Sequence, residues 1–313
     1  MLVYTQHQQI RILSYVARTV PSAIAISLIG RLENLPRKLR FSQMTDAEKI
    51  KKHIMGLVTG SETRLSQQAI ENKLRRQWGV DRKQIRQAIR ELVAESSLTY
   101  TYIYGASYLE PSFQRPVRIS ASIVVKPHDM DYRAGNGDIV IDIFPGISFG
   151  SGAHPTTRLS VQGIEYALKD KQLIKNFNGS TVLDIGTGSG ILAVAALKLG
   201  IETGTGVDTD ACARSEAVKN VAINGYTDRI MIVDKSETID SMFSLITANL
   251  RFPDIMALYP PITRWTDKNG IVVISGLRPH ETDAVTDRYA QQHFSCLLKK
   301  EEKGWACLIF KKI

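Results

Sequence analysis

Apolar positions recur at helical spacing through the first third of the chain and then give way to short strand-like runs. Ile50, Ile54 and Leu57 fall on one face of a helix that Thr45 or Asp46 can cap. A second helix is predicted from near Ser66, with Ile70, Leu74 and Trp78 inward and a stop at Gly79. Asp81 caps a third, whose inward face is Ile85, Ala88, Ile89 and Leu92. The run from Leu98 to Tyr104 alternates with period two, and a second strand-like piece follows Gly105 to Leu109, ended by Pro111. Three helices and a hairpin outline a winged helix, with Tyr100, Tyr102 and Tyr104 expected to pack into its core. Residues 1–44 alternate apolar and basic groups and suit one or two further helices.

Beyond Gln114 the period shortens. Two strand-like runs, Ile119 to Val125 and Asp138 to Ile143, flank a polar turn containing Gly135-Asn-Gly137. Strands then alternate with helices. Thr181 to Ile185, Gly204 to Asp208, Ile230 to Val233, Phe243 to Ala248 and Ile271 to Ser275 are the strands; Leu159 to Leu168, Ile191 to Leu199 and Asp210 to Ala222 are the helices. Two last runs, Phe294 to Leu298 and Trp305 to Phe310, surround a charged turn, Lys299 to Gly304, short enough only for an antiparallel hairpin. The alternation predicts an α/β fold with a doubly wound, mostly parallel sheet. The expected divisions are 1–113 (helical extension and winged helix), 114–145 (connecting β segment) and 146–313 (the α/β domain).

The chemistry concentrates at Gly186-Thr-Gly-Ser-Gly190, between a strand and a helix. Such a turn brings backbone N–H groups and a helix N-terminus close to a ligand. Its spacing is GxGxG, and Ile191 stands where a dinucleotide fingerprint needs its last glycine. Asp184 precedes the loop by two residues, and Asp208 closes the next strand, where a carboxylate can accept two bonds from a ribose diol. Together they point to S-adenosyl-L-methionine; the alternative is a turn that needs glycine only for its positive φ. A second glycine loop, Phe149-Gly-Ser-Gly-Ala-His-Pro-Thr-Thr157, runs into a helix. Pro155 suits its first position, and the threonine hydroxyls can cap it or meet a polar ligand. The candidate cofactor residues are Phe149, His154, Thr156, Thr157, Asp184, Gly186, Thr187, Gly188, Gly190, Asp208, Thr209, Asp234 and Asn249. Within that set, residues 186–190 would hold the methionine part and Asp234 the adenine amino group, unless Asp234 is merely a turn residue. Asn249, at a strand end, offers an amide that can meet a ligand or tie down the next loop.

Charge is unevenly spread along the chain. Residues 1–120 hold 19 Lys and Arg against 9 Asp and Glu, while the rest hold 21 against 22. An acidic partner is therefore expected there, at the face carrying Arg82, Lys83, Arg86 and Arg90, either nucleic acid or protein. Cys212, Cys296 and Cys307 form no CxxC, and the six histidines show no ligand spacing, so no metal is expected. The longest apolar run, Val20 to Ile29, contains Pro21 and is too short to span a bilayer. A cytoplasmic location is the expectation.

From about Arg115 onward the sequence resembles the ribosomal protein L11 methyltransferase family. The resemblance rests on residues 149–157 and 182–193, Gly206-Val-Asp208, Asn220 and Asn224, Ala248-Asn-Leu250, and Ile274-Ser-Gly-Leu277. Ser151 stands where Thr is usual and Thr187 where Cys is common. The resemblance implies a seven-stranded Rossmann-like methyltransferase sheet, with Thr157, Gly186, Asp208 and Asn249 touching S-adenosylmethionine. It also implies N-methylation of a protein of the ribosomal L11 kind, with Asn249 as the catalytic residue whose carbonyl oxygen accepts an amine N–H. The family's small N-terminal domain, which presents the ribosomal protein, has no counterpart; the basic helical part takes its place. Two other functions fit that exchange: a nucleic-acid methyltransferase gripping phosphates through the arginines, or a DNA-binding regulator that senses the cofactor.

Overall fold

A computed structural model describes residues 47–313 apart from 62, 104, 145, 147–149, 151 and 235–238. The helices expected within 1–44, the cap at Thr45 or Asp46, Tyr104 and Phe149 lie outside the described residues.

Helices α1 (Ala47–Gly60), α2 (Gln67–Trp78) and α3 (Arg82–Ala94) precede a hairpin of β1 (Leu98–Ile103) and β2 (Ala106–Pro111). The Ser66 hydroxyl caps α2, and Gly79, at φ 63°, ends it in the left-handed conformation that glycine adopts without strain. Asp81 caps α3 through the Lys83 N–H. Ile54, Ile70, Leu74, Ile85, Ile89, Leu98 and Leu109 form the core of this unit, and Leu65 bridges to Leu109. Along β1, exposure climbs from 1 % at Leu98 through 37 % at Tyr100 to 78 % at Tyr102. Tyr100 and Tyr102 therefore both stand outside the core that period-two packing assigned them, and the Tyr100 hydroxyl donates to Gln67 of α2 at 2.6 Å.

A three-stranded sheet joins this unit to the rest: β3 (Val117–Arg118) antiparallel to β4 (Ile123–Pro127), itself parallel to β5 (Ile139–Ile143). The expected strand from Ile119 to Val125 is broken at Ser120–Ser122, because the Glu165 carboxylate takes the Ala121 and Ser122 N–H groups out of any ladder.

The large sheet has the order β11-β12-β10-β9-β6-β7-β8. Its strands are β6 (Thr181–Ile185), β7 (Thr203–Val207), β8 (Ile230–Val233), β9 (Phe243–Asn249), β10 (Thr266–Leu277), β11 (Phe294–Glu302) and β12 (Trp305–Lys312). Five are parallel, and β12 runs antiparallel to both β10 and β11. One face carries Val182, Leu245, Ile271 and Val273, covered by α4 (Pro155–Glu165) and α5 (Ile191–Lys198). The other carries Leu183, Ile185, Ile246 and Ile274, under α7 (Phe252–Trp265) and α8 (Thr282–Ala290). Between β7 and β8 runs α6 (Ala211–Ile223), capped by Asp210. The C-terminal hairpin is longer than expected: its turn is only Lys303-Gly304, both at positive φ, as a two-residue loop requires.

Candidate functional site

Sheet register decides where the site lies. Ile185, the last residue of β6, pairs with Val207 on one side and Ala248 on the other. The next residues, Gly186, Asp208 and Asn249, therefore emerge side by side at the carboxyl ends of three adjacent strands. The chain leaves β6 toward β7 and β8, then returns across the sheet to β9, so this is where strand order reverses and where ligands collect in open α/β sheets.

A cavity of about 760 Å³ opens there, lined by His154, Thr156, Gly186, Gly188, Asp208, Thr209, Asn249, Leu250, Gly276 and Trp305 among others. Its size suits a nucleoside-sized ligand. Asp208 stands at one side with both carboxylate oxygens already fixed: Oδ2 accepts from the Gly188 N–H at 2.9 Å and Oδ1 from the Asp210 N–H at 3.0 Å. A carboxylate has about four lone-pair sites, so two remain for a diol. At the other side is Asn249; among the described residues no hydrogen bond holds its amide. Its backbone is pinned instead, because the Leu250 N–H donates to the Ser275 carbonyl at 3.2 Å. Gly276 (φ 89°) makes that approach possible, since a Cβ there would overlap the Leu250 carbonyl.

The glycine loop does not work as the sequence suggested. The N–H groups of Gly186 and Thr187 both donate to the Val207 carbonyl, that of Gly188 to Asp208, and that of Gly190 to the Thr187 carbonyl. The loop thus offers a ligand close approach to bare backbone rather than a cluster of free donors. Gly186, at φ 69°, forms part of the cavity floor, where a side chain would meet Leu250.

Several candidates stand behind the cavity rather than in it. Asp184 is fully buried and accepts from the Thr187 and Thr247 hydroxyls, each at 2.7 Å. Burial drives its carboxyl up to about 6, against the pull of those hydroxyls and of the Ala193 N–H in the first turn of α5. Its place is structural: it ties the loop, β9 and the α5 N-terminus together. Thr187 and Gly190 serve the same knot and do not line the cavity. Asp234 follows β8, exposed and away from the lining. Thr157 is also absent from the lining, yet its hydroxyl is buried with no hydrogen-bond partner, one residue from the cavity wall.

His154 caps α4 with its ring, Nδ1 facing the Thr156 N–H at 3.3 Å and the Thr156 hydroxyl at 2.8 Å. The threonine hydroxyls therefore do not cap the helix. Burial, reinforced by the charges of Arg64 and Arg158, lowers the imidazole to about 4, so the ring is neutral at pH 7. It meets Trp305 edge-on at 5.0 Å, and the Arg278 guanidinium lies 3.7 Å from the Trp305 ring centre. Trp305 brings the C-terminal hairpin into the cavity wall, and its buried indole N–H has no partner. Sequence reasoning missed this residue, along with Asp210, Leu250, Arg251, Asp254 and Leu258. A tryptophan beside a hairpin turn reads as ordinary packing until the hairpin is placed against α4. Asn220 and Asn224 are explained differently: Asn220 bridges the Phe144 N–H and the Ser189 carbonyl, and Asn224 bridges both backbone groups of Asp142.

The remaining candidates, Arg82, Lys83, Arg86 and Arg90, share α3, away from the cavity lining. Among the described residues no group of three His, Cys, Asp or Glu could hold a metal, and no helix is long and apolar enough to cross a membrane.

A sequence profile of the family described as ribosomal protein L11 methyltransferase (PrmA) matches residues 109–313. The chain belongs to this family. A ribosomal protein L11 methyltransferase of Geotalea uraniireducens is 35% identical over 205 residues, covering 63% of this chain and 64% of that protein. A second, from Clostridium botulinum, is 33% identical over 201 residues, covering 64% and 61%. The crystal structure of a ribosomal protein L11 methylase from Lactobacillus delbrueckii subsp. bulgaricus superimposes with a TM-score of 0.56 at 29% identity, over 64% of this chain and all of that one. The chain thus spans less than two thirds of the length of these curated relatives.

Proposed function

We propose that this chain is an S-adenosyl-L-methionine-dependent methyltransferase whose acceptor is an amine of a ribosomal protein. The observation that supports it is one cavity of a family member that holds a carboxylate with unused lone pairs (Asp208) and an uncommitted amide (Asn249) on either side of Gly186. The acceptor follows from the relatives, each named a ribosomal protein L11 methyltransferase.

The residues suit the cofactor. Asp208 keeps free lone pairs for the ribose, Gly186 admits the ligand against bare backbone, and the orphaned Thr157 hydroxyl is a polar group awaiting a partner. Gly188 and Thr209 extend the wall beside Asp208, and His154 and Thr156 close it from α4. When bound, S-adenosylmethionine supplies an electrophilic methyl group on a cationic sulfur. What the chain adds is alignment, which for well-oriented reactants recovers roughly 7–11 kcal/mol. An attacking amine, ordinarily protonated with a pKa of about 10.4 for Lys, must arrive neutral, and a partly enclosed cavity disfavours its charged form. The Asn249 carbonyl oxygen then accepts one amine N–H and aims the lone pair at the methyl group. Neutral His154 adds no opposing positive charge to the wall.

The test is transfer of labelled methyl from S-adenosylmethionine into intact ribosomes, total RNA and soluble protein, run side by side. Label in a ribosomal protein, stable to nuclease, is the expected result. Label confined to RNA would overturn the acceptor, and no label in any fraction would overturn the activity.

A further inference from the structure

The family match begins at residue 109, so α1, α2, α3 and most of the hairpin are additional to it. Their geometry has its own logic. Only Gly79, Val80 and Asp81 separate α2 from α3; Val80 is buried, while Gly79 and Asp81 terminate and cap the two helices. With Leu65 bridged to β2 and Tyr102 of the hairpin exposed, this is the layout in which a second helix is presented to a groove.

The charges on α3 are sorted by face. Glu91 and Glu95, at its C-terminal end, turn toward α1, where both pair with Lys51 at 2.9 and 2.7 Å. A second face shows Arg82, Lys83, Arg86 and Arg90, all exposed; Gln87 lies between the two faces, accepting from Arg90 at 2.7 Å and donating to Glu91 at 2.8 Å. Beneath it lies one acid, Glu71 of α2, only 2 % exposed. Burial alone would raise its carboxyl, but hydrogen bonds from Arg86 and Gln67 hold it below its ordinary value, so it is ionised. It grips the Nε of Arg86 at 2.8 Å and of Arg82 at 3.1 Å. The two guanidiniums are thereby fixed through Nε while half exposed, and the face stays net positive. A helix about 10–12 Å across fits the B-form major groove, about 12 Å wide, whereas the A-form major groove is too narrow to admit one. Arginine is the side chain best suited to read guanine edges there.

We propose that this N-terminal unit is a winged-helix module that binds duplex DNA, with α3 in the major groove and the Tyr102 hydroxyl of the hairpin at a phosphate. Four cations are available on α3. If each neutralises one phosphate at a slope of about 0.9, affinity falls roughly 100-fold between about 50 and 200 mM salt.

The experiment is fluorescence anisotropy of the full chain with a labelled DNA duplex of about 20 base pairs, two helical turns, and with an RNA duplex of the same sequence. Lys83 and Arg90 make no ion pair with Glu71, so the double variant Lys83→Glu, Arg90→Glu spares the buried triad. It is expected to weaken DNA binding at least tenfold and flatten the salt slope by about two phosphates, with its circular dichroism and thermal midpoint unchanged. DNA affinity that ignores salt, a double variant that binds as well as the parent, or an RNA duplex bound as tightly as DNA would each overturn the proposal. None of these outcomes depends on methyl transfer.

Discussion

Asn249→Ala should lower methyl-transfer turnover by at least about a hundredfold while changing affinity for S-adenosylhomocysteine by no more than a few fold. The magnitude is that of removing one preorganised polar group from a reaction centre. The split arises because Asn249 and Asp208 sit at opposite sides of Gly186. The proposed function assigns cofactor affinity to Asp208 and the cavity walls and leaves the Asn249 amide for the acceptor. Leu250, not the Asn249 side chain, ties the strand end to β10, so truncation leaves the backbone anchored. Steady-state kinetics beside calorimetry on the same variant distinguishes the outcomes. Unchanged turnover in a folded variant would make Asn249 a bystander, and equal losses in turnover and affinity would make it part of the cofactor cradle.

For Asp184 the expected loss is of the fold. Asp184→Ala leaves the Thr187 and Thr247 hydroxyls and the Ala193 N–H facing a dry gap. At about 1–3 kcal/mol for each buried group left unsatisfied, a loss of at least 3 kcal/mol is expected, a large share of a typical domain's total stability. Asp184→Asn keeps the shape and isolates the charge. Because burial raises the folded carboxyl from 3.8 to about 6, the folded state holds the extra proton between those values. Its contribution is therefore full below pH 3.8 and is lost as pH rises through about 6, a change of about 3 kcal/mol. His154, lowered to about 4 from 6.5, contributes with the opposite sign: its share grows as pH rises through that interval. Relative to the parent, Asp184→Asn should accordingly gain stability by about 2.5 kcal/mol between pH 4 and pH 7, measured by denaturant unfolding at each pH. A difference independent of pH would mean that Asp184 is ionised throughout.

Much of this architecture was legible because local signals agreed. Ser66, Gly79 and Asp81 marked helix ends that the structure keeps, and the valine- and isoleucine-rich runs became the central strands. Asp208 and Asn249 were recognisable as strand-end polar residues, and sheet register places them in one cavity. What local pattern could not supply was direction. Asp184 and Asp208 look alike in sequence, yet one points into the sheet's packing and the other to the cavity, a difference set by which face of β6 or end of β7 each occupies. The glycine loop looked like a set of donors because its hydrogen bonds to Val207 and Asp208 depend on strand pairing. α7 gave no helix signal, since Pro260 and Pro261 lie inside it. Trp305 enters the site only through the placement of the last hairpin, and the buried pairing of Glu71 with two arginines needed α2 and α3 packed together.

On the proposed function, Asp208, the Gly186 turn and the α4 wall enclose one sulfonium nucleoside. Isothermal titration calorimetry of the full chain with S-adenosylhomocysteine decides this, with Asp208→Ala titrated alongside. One saturable site in the parent, weakened at least tenfold by the substitution, is the predicted result. No heat with the parent, or an affinity untouched by loss of the Asp208 carboxylate, would contradict it.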